Sequence, residues 1–258
     1  MHQSDHTEAG RWLALHGMAD AEPTALLAAR LAVRRRAKIV DSLLLAAFLI
    51  GAALTHALGR AADATWWPLL LVLTALVAGL LVAQWLLGSW VRRADRRAGA
   101  RLTRRVAHPV ELGWPAVLGR PYAIFTVATF TGAFLLAVSV LTVSDSGLRY
   151  GAIVVLIGLA GAGAGMIMQL RQVLVNPAVA EDEASLRADV IMRVEDARAL
   201  VTPSLVWSLP AIFLYGDSLG WWNVVSLALV VAGAIALCLI QIRTAGVGTV
   251  ARRAMAPR

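Results

Sequence analysis

Apolar residues in this chain fall into long runs, with polar residues gathered between them. Six runs approach or pass the roughly 20 residues that a helix needs to cross a bilayer core of ~30 Å. They are 40–58, 66–88, 121–143, 150–170, 199–216 and 220–242. Asp41, at the very start of the first, is the one Asp, Glu, Lys or Arg inside any of them. The fifth is the shortest and carries Pro203 and Pro210. Proline is tolerated in a spanning helix when neighbours satisfy the freed carbonyl, which predicts a kink near Leu209. The pattern predicts an all-α polytopic bundle of six transmembrane helices in three hairpins, with cytoplasmic amphipathic helices. Residues 1–39 form an N-terminal helical segment, 40–242 the bundle with inner loops 91–120 and 171–200, and 243–258 a basic tail.

One inner loop breaks the apolar theme. Residues 176–203, "NPAVAEDEASLRADVIMRVEDARALVTP", carry six acids and three arginines. Asn176-Pro177 suits a helix start, and Glu181, Asp182 and Glu183 complement the positive end of its dipole. Asp189 precedes Arg193 by four, the favourable order for a helical ion pair. Leu186, Val190, Val194, Ala197 and Val201 make one apolar stripe. The expectation is an amphipathic helix over 178–200 whose stripe, Leu186, Val190, Val194 and Ala197 above all, needs a cover. The candidates are a cytoplasmic protein partner and the chain's own basic loop.

The N-terminal segment reads as two helical pieces. "HTEAGRWLALHG" ends at Gly17, and "EPTALLAARLAVRRRAK" has Pro23 at its beginning. The second is expected to lie along the membrane before turning into the first span. About forty residues before that span argue against a cleaved leader.

Composition agrees with a membrane class. Apolar residues are 59% and charged residues 16%, against about 45–50% and about 25% in soluble domains. Six crossings place both ends on one side. Of the 24 basic residues, only Arg60 and Arg149 fall in the short connections. Positive residues stay cytoplasmic, so both ends are expected in the cytoplasm of a bacterial inner membrane protein. Trp66, Trp67, Trp221 and Trp222 open spans at the outer boundary, and Trp90 and Trp114 lie near the inner one.

Burial alone does not associate helices in lipid, whereas small residues permit close approach. Gly151, Gly158 and Gly165 repeat every seven residues, and Gly161 and Gly165 form a GxxxG pair. Helix packing is the expected role, with a substrate or pore lining as the alternative. The basic inner loop carries Arg92, Arg93, Arg96, Arg97, Arg101, Arg104 and Arg105. Attraction to anionic lipid headgroups accounts for them; docking on the acidic loop is the alternative. Basic inner loops are what topology demands, so nucleic acid is not expected as a partner.

No ionisable residue lies near mid-membrane, which disfavours a proton-driven carrier. There is no HExxH, GxSxG, P-loop or zinc spacing. No enzyme activity and no cofactor are expected. A single cysteine, Cys238, excludes an internal disulfide.

The 176–203 stretch, together with 23 arginines against one lysine, Lys38, resembles actinobacterial multi-pass membrane proteins of unknown activity. Six spans with amphipathic inner segments also resemble the membrane subunits of ABC exporters, in which an inner helix docks on an ATPase. Two functions follow as expectations. The first is a non-catalytic accessory or scaffold protein engaging a cytoplasmic regulator or ATPase through 178–200, with self-association as a further option. The alternative is the permease subunit of an ABC-type exporter of apolar or amphipathic molecules.

Overall fold

A computed structural model describes residues 3–61, 66–100, 114–144, 146–175, 182–202, 206, 209, 221–244 and 246–249. Its elements are all helical: α1 (Gln3–Leu15), α2 (Ala25–Ala61), α3 (Trp66–Ala100), α4 (Trp114–Val140), α5 (Ser146–Val175), α6 (Glu183–Val201) and α7 (Trp221–Arg243). Five of them, α2, α3, α4, α5 and α7, are long and apolar enough to cross a membrane. Their large apolar side chains point outward in number, among them Leu71, Val82, Val127, Ile157, Val224 and Ile235. Contiguous apolar surface on that scale is rare on a soluble monomer and is what a helix facing lipid presents.

Two cores divide the bundle lengthwise. One joins the C-terminal part of α4 (Leu136, Ala137, Val140) to the early part of α5 (Ala152, Val155), the opening of α7 (Trp222, Val225) and Phe48, Val77, Val206 and Leu209. The other joins the start of α4 (Val117, Leu118, Tyr122) to the ends of α5 and α7, to α6, and to α1 and the start of α2. Val247 packs on this second core. A Cβ on Gly248 would lie 2.9 Å from the carbonyl oxygen of His16. The described N- and C-terminal segments therefore meet at one end of the bundle.

α2 differs from expectation. Residues 25–39 do not turn onto a membrane surface; they run unbroken into the first span. Thr24 caps the helix, its Oγ1 accepting from the Leu27 N–H at 3.2 Å. No Gly or Pro follows until Gly51, so nothing local bends it. At 37 residues and 1.5 Å per residue, α2 is about 55 Å long, well beyond a ~30 Å hydrocarbon core. α3 is nearly as long, and the start of α2 and the end of α3 run antiparallel, tied by Arg30 and Arg34 to Asp95.

α4 begins a turn before its crossing segment. Gly119 has φ 72° and ψ 162°, breaking the helix, and Pro121 follows in the first turn after the break. Only glycine takes that backbone without strain, and proline there gives up an N–H that would be orphaned anyway. The kink expected near Leu209, the fifth apolar run beyond Thr202 apart from Val206 and Leu209, and Arg101, Arg104 and Arg105 lie outside the described residues.

Candidate functional site

The site grows from the start of α6. Asp182 is its cap: it accepts from the Ser185 N–H at 2.8 Å, while Ser185 Oγ accepts from the Asp182 N–H at 3.0 Å, and the helix start expected at Asn176-Pro177 lies outside the described residues. This reciprocal box starts the helix at Glu183. The last turn is held from outside, where Thr126 Oγ1 on α4 donates to the Val201 carbonyl at 2.7 Å. The Arg198 guanidinium stacks over Tyr122, 4.8 Å from the ring centre.

α6 is buried on more than its stripe. Leu186, Val190, Val194 and Ala197 are all buried, and so are Ile191, Met192, Asp189 and Arg193. The stripe expected to face a partner is covered by the chain's own α4 and α5, with α1 and the start of α2 in the same core. Those four residues do not form a free partner-binding face in this structure. The cover comes from helices distant along the chain or separated by a loop, so local pattern does not reveal the match.

Between α2, α3 and α6 lies a closed ion cluster. Arg30, 4% exposed, donates through Nε to Asp95 at 2.8 Å and through Nη2 to Asp189 at 2.6 Å. Arg34, four residues on, grips both carboxylate oxygens of Asp95 at 3.0 and 2.8 Å. It also reaches Asp196, at 2.8 Å through Nη2. Asp189, 0% exposed, completes its bonding with Arg193 Nε at 2.8 Å. Three guanidiniums and three carboxylates thus neutralise one another with forked, charge-assisted hydrogen bonds, the strong kind. Asp95 is the lone acid among the α3 arginines, and in the sequence it counts only as one negative charge. Its role, and those of Arg30 and Arg34, were missed there.

A second polar contact pins α1. His16 Nδ1–H donates to the Trp12 carbonyl at 2.7 Å, and Nε2 lies 3.2 Å from Glu195 Oε1. Only the imidazolium donates from both nitrogens. The Glu195 hydrogen bond raises the His16 pKa above its ordinary 6.5 despite desolvation. Burial pushes Glu195 up, but the His16 hydrogen bond and charge, with Lys38 nearby, hold it below the usual 4.5. His16 therefore contributes fully below pH 6.5 and loses its contribution as pH rises through its raised value. Glu195 contributes above 4.5 and loses its contribution as pH falls through its lowered value. α1 should dock most firmly between about pH 4.5 and 6.5. Amide exchange in α1, corrected for intrinsic rates, should quicken above neutrality in the native protein and lose that dependence in His16→Gln. Equal pH dependence in both would refute the contact's role.

Above the ion cluster, toward the apolar part of the bundle, a cavity of about 450 Å³ opens between α2, α3, α5 and α6. This is within the ~300–1,000 Å³ usual for small-molecule sites. Its deep wall is Leu81, Gly161, Ala162, Gly165 and Met166; its other end is Arg34, Lys38, Arg92, Gln169 and Asp196. Val82 and Trp85 also line it and are 56% and 50% exposed, so one side opens laterally, where lipid would lie. Asp41 accepts from Gln84 Nε2 at 3.1 Å part-way down.

The glycines of α5 divide between two settings. Gly151 and Gly158 are buried. A Cβ on Gly158 would sit 3.0 Å from Leu209 Cδ2 and 3.1 Å from Val77 Cγ1, and one on Gly161 2.7 Å from Leu81 Cδ1. A Cβ on Gly165 would meet nothing within 4 Å, because it faces the cavity. The arginines divide too. Arg92 lines the cavity and donates to Gln169 Oε1 at 3.3 Å, Arg93 turns back to Ser89 at 2.8 Å, and Arg96 and Arg97 are exposed. Among the described residues no group of three or more His, Cys, Asp or Glu is placed to hold a metal ion. No protein-family model, curated protein or solved structure matches this chain.

Proposed function

We propose that the protein is a multi-pass component of the bacterial inner membrane, crossing six times with both ends in the cytoplasm. It takes an amphipathic molecule into the cavity between α2, α3, α5 and α6, without covalent chemistry, in the manner of a permease subunit. The observation that carries this reading is the cavity itself. It is graded from apolar to charged along its length, and it opens sideways where a membrane-dissolved molecule would enter.

Connectivity supports the sixth crossing. α5 ends in the core that holds α6, whereas α7 begins in the opposite core. Val201 packs in one core and Trp222 in the other, and residues 203–216 of the apolar run 199–216 lie between them in sequence. The arginine-rich end is the one that the positive-inside rule assigns to the cytoplasm. A reporter inserted after residue 218 should be periplasmic and one after Arg258 cytoplasmic. With five crossings both locations would change.

The scaffold reading loses ground because its proposed face is occupied. Exposing Leu186, Val190, Val194 and Ala197 would require α6 to leave α4 and α5 together. Purification in a lipid-retaining detergent, followed by native mass spectrometry, tests the cavity reading. Wild-type protein should carry about one amphiphile per chain, and Gly165→Leu, which fills open space, should lose it. A wild type with no bound amphiphile, or one retained equally by the variant, would reject the reading.

A further inference from the structure

We infer that the ligand of this cavity is an anionic phospholipid of the inner leaflet, its phosphate held between Lys38 and Arg92. The inference rests on the cavity reading above and adds the ligand's class and orientation. Three cations line the polar end: Arg34, Lys38 and Arg92. Arg34 is already committed, since its donors go to Asp95 and Asp196. Lys38 makes no ion pair among the described residues, and the hydrogen bond of Arg92 goes to the neutral amide of Gln169. Neither is held in a salt bridge among the described residues, although the charge of Lys38 acts on Glu195 and the carboxylates of Asp41 and Asp196 line the same cavity.

Their surroundings favour a phosphate over a soluble anion. Gly88 sits on the same face of α3 as Arg92, and a Cβ there would collide with Gln169 Oε1. The absent side chain lets Gln169 reach across and orient the guanidinium. A guanidinium fork fits phosphate oxygens two at a time, and a lysine beside it supplies a point charge. The opposite end, at Leu81, Gly161 and Ala162, is apolar and offers an acyl chain a dry slot. Gly161 and Val173 both line the cavity; twelve residues apart on a helix, they set its length at about 18 Å. That is longer than a headgroup and shorter than a whole lipid, so the remainder of the acyl tails passes out between Val82 and Trp85. The carboxylate of Asp41, already accepting from Gln84, stands toward the apolar end and repels an anion that enters head first. That fixes the headgroup at the cytoplasmic end.

The test uses full-length protein reconstituted in vesicles of equal phosphatidylglycerol and phosphatidylethanolamine, extracted mildly and weighed by native mass spectrometry. Wild type should retain phosphatidylglycerol preferentially. Lys38→Gln and Arg92→Gln should each lower its retention roughly fivefold, and together about thirtyfold. Arg92→Lys should recover part of the loss. Arg96→Gln with Arg97→Gln, exposed on the same helix but outside the cavity, should change nothing. Inorganic phosphate at millimolar concentration should not displace the lipid.

Equal retention of both lipids by wild type, abolished by Gly165→Leu, overturns the anionic class while leaving the cavity reading intact. Equal loss from the Arg96/Arg97 pair overturns the defined site in favour of diffuse surface attraction. Displacement by phosphate overturns the lipid source. No retention of either lipid removes the cavity reading itself.

Discussion

Replacing Asp189 by alanine should destabilise the protein by about 3–5 kcal/mol, because it removes a buried carboxylate shared by two guanidiniums. Asp189 is 0% exposed and accepts from Arg30 at 2.6 Å and Arg193 at 2.8 Å. Both arginines are buried, 4% and 8% exposed, so solvent reaches them poorly. For a chain of this size the melting midpoint in detergent should fall by on the order of 10 °C. Asp189→Asn keeps the shape and one acceptor and should fall by less. The triple change Asp189→Leu, Arg30→Met, Arg193→Met should recover much of the loss, since apolar groups of similar volume often replace a buried ion cluster without penalty. If Asp189→Ala melts within a degree or two of wild type, the cluster does not hold α2 to α6.

Enlarging Gly158 to leucine should cost about 1–3 kcal/mol, the usual penalty for forcing atoms into a filled interior. Its missing Cβ would lie 3.0 Å from Leu209 and 3.1 Å from Val77, so α5 cannot keep its distance from both neighbours. Gly165→Leu, one heptad along the same helix, should be close to neutral for stability because it meets open space. Helical circular dichroism during denaturation in mixed micelles distinguishes the two. Equal losses would mean that the α5 face is not packed as the structure has it.

The two glycines make a general point about what a sequence displays. Gly151, Gly158, Gly161 and Gly165 form a single small-residue pattern, and nothing local separates the packed members from the one that opens a cavity. Their difference lies in which residues face them: Leu209 and Val77 at Gly158, Leu81 at Gly161, none at Gly165. The α6 stripe behaves likewise. Its period announces a buried face, but the partner depends on where α1 and α4 come to rest. The arginines of α3 are alike as charges, yet Arg92 faces a cavity while Arg96 and Arg97 face outward.

The run of residues along the chain was enough to establish the helical class, five runs long and apolar enough to cross a membrane, and a helix near 183–201 with a face to bury. These follow from local free energies: about 20 successive apolar side chains favour lipid wherever they sit, and a 3.6-residue period buries one side whatever covers it. It was not enough to show that α2 runs unbroken from residue 25 through the first apolar run, that Asp95 is a keystone among arginines, or that an amphipathic cavity lies beside it. Those depend on contacts between residues 61 and 162 positions apart. The meeting of such residues depends on how whole helices pack, which no local pattern of charge or hydropathy encodes.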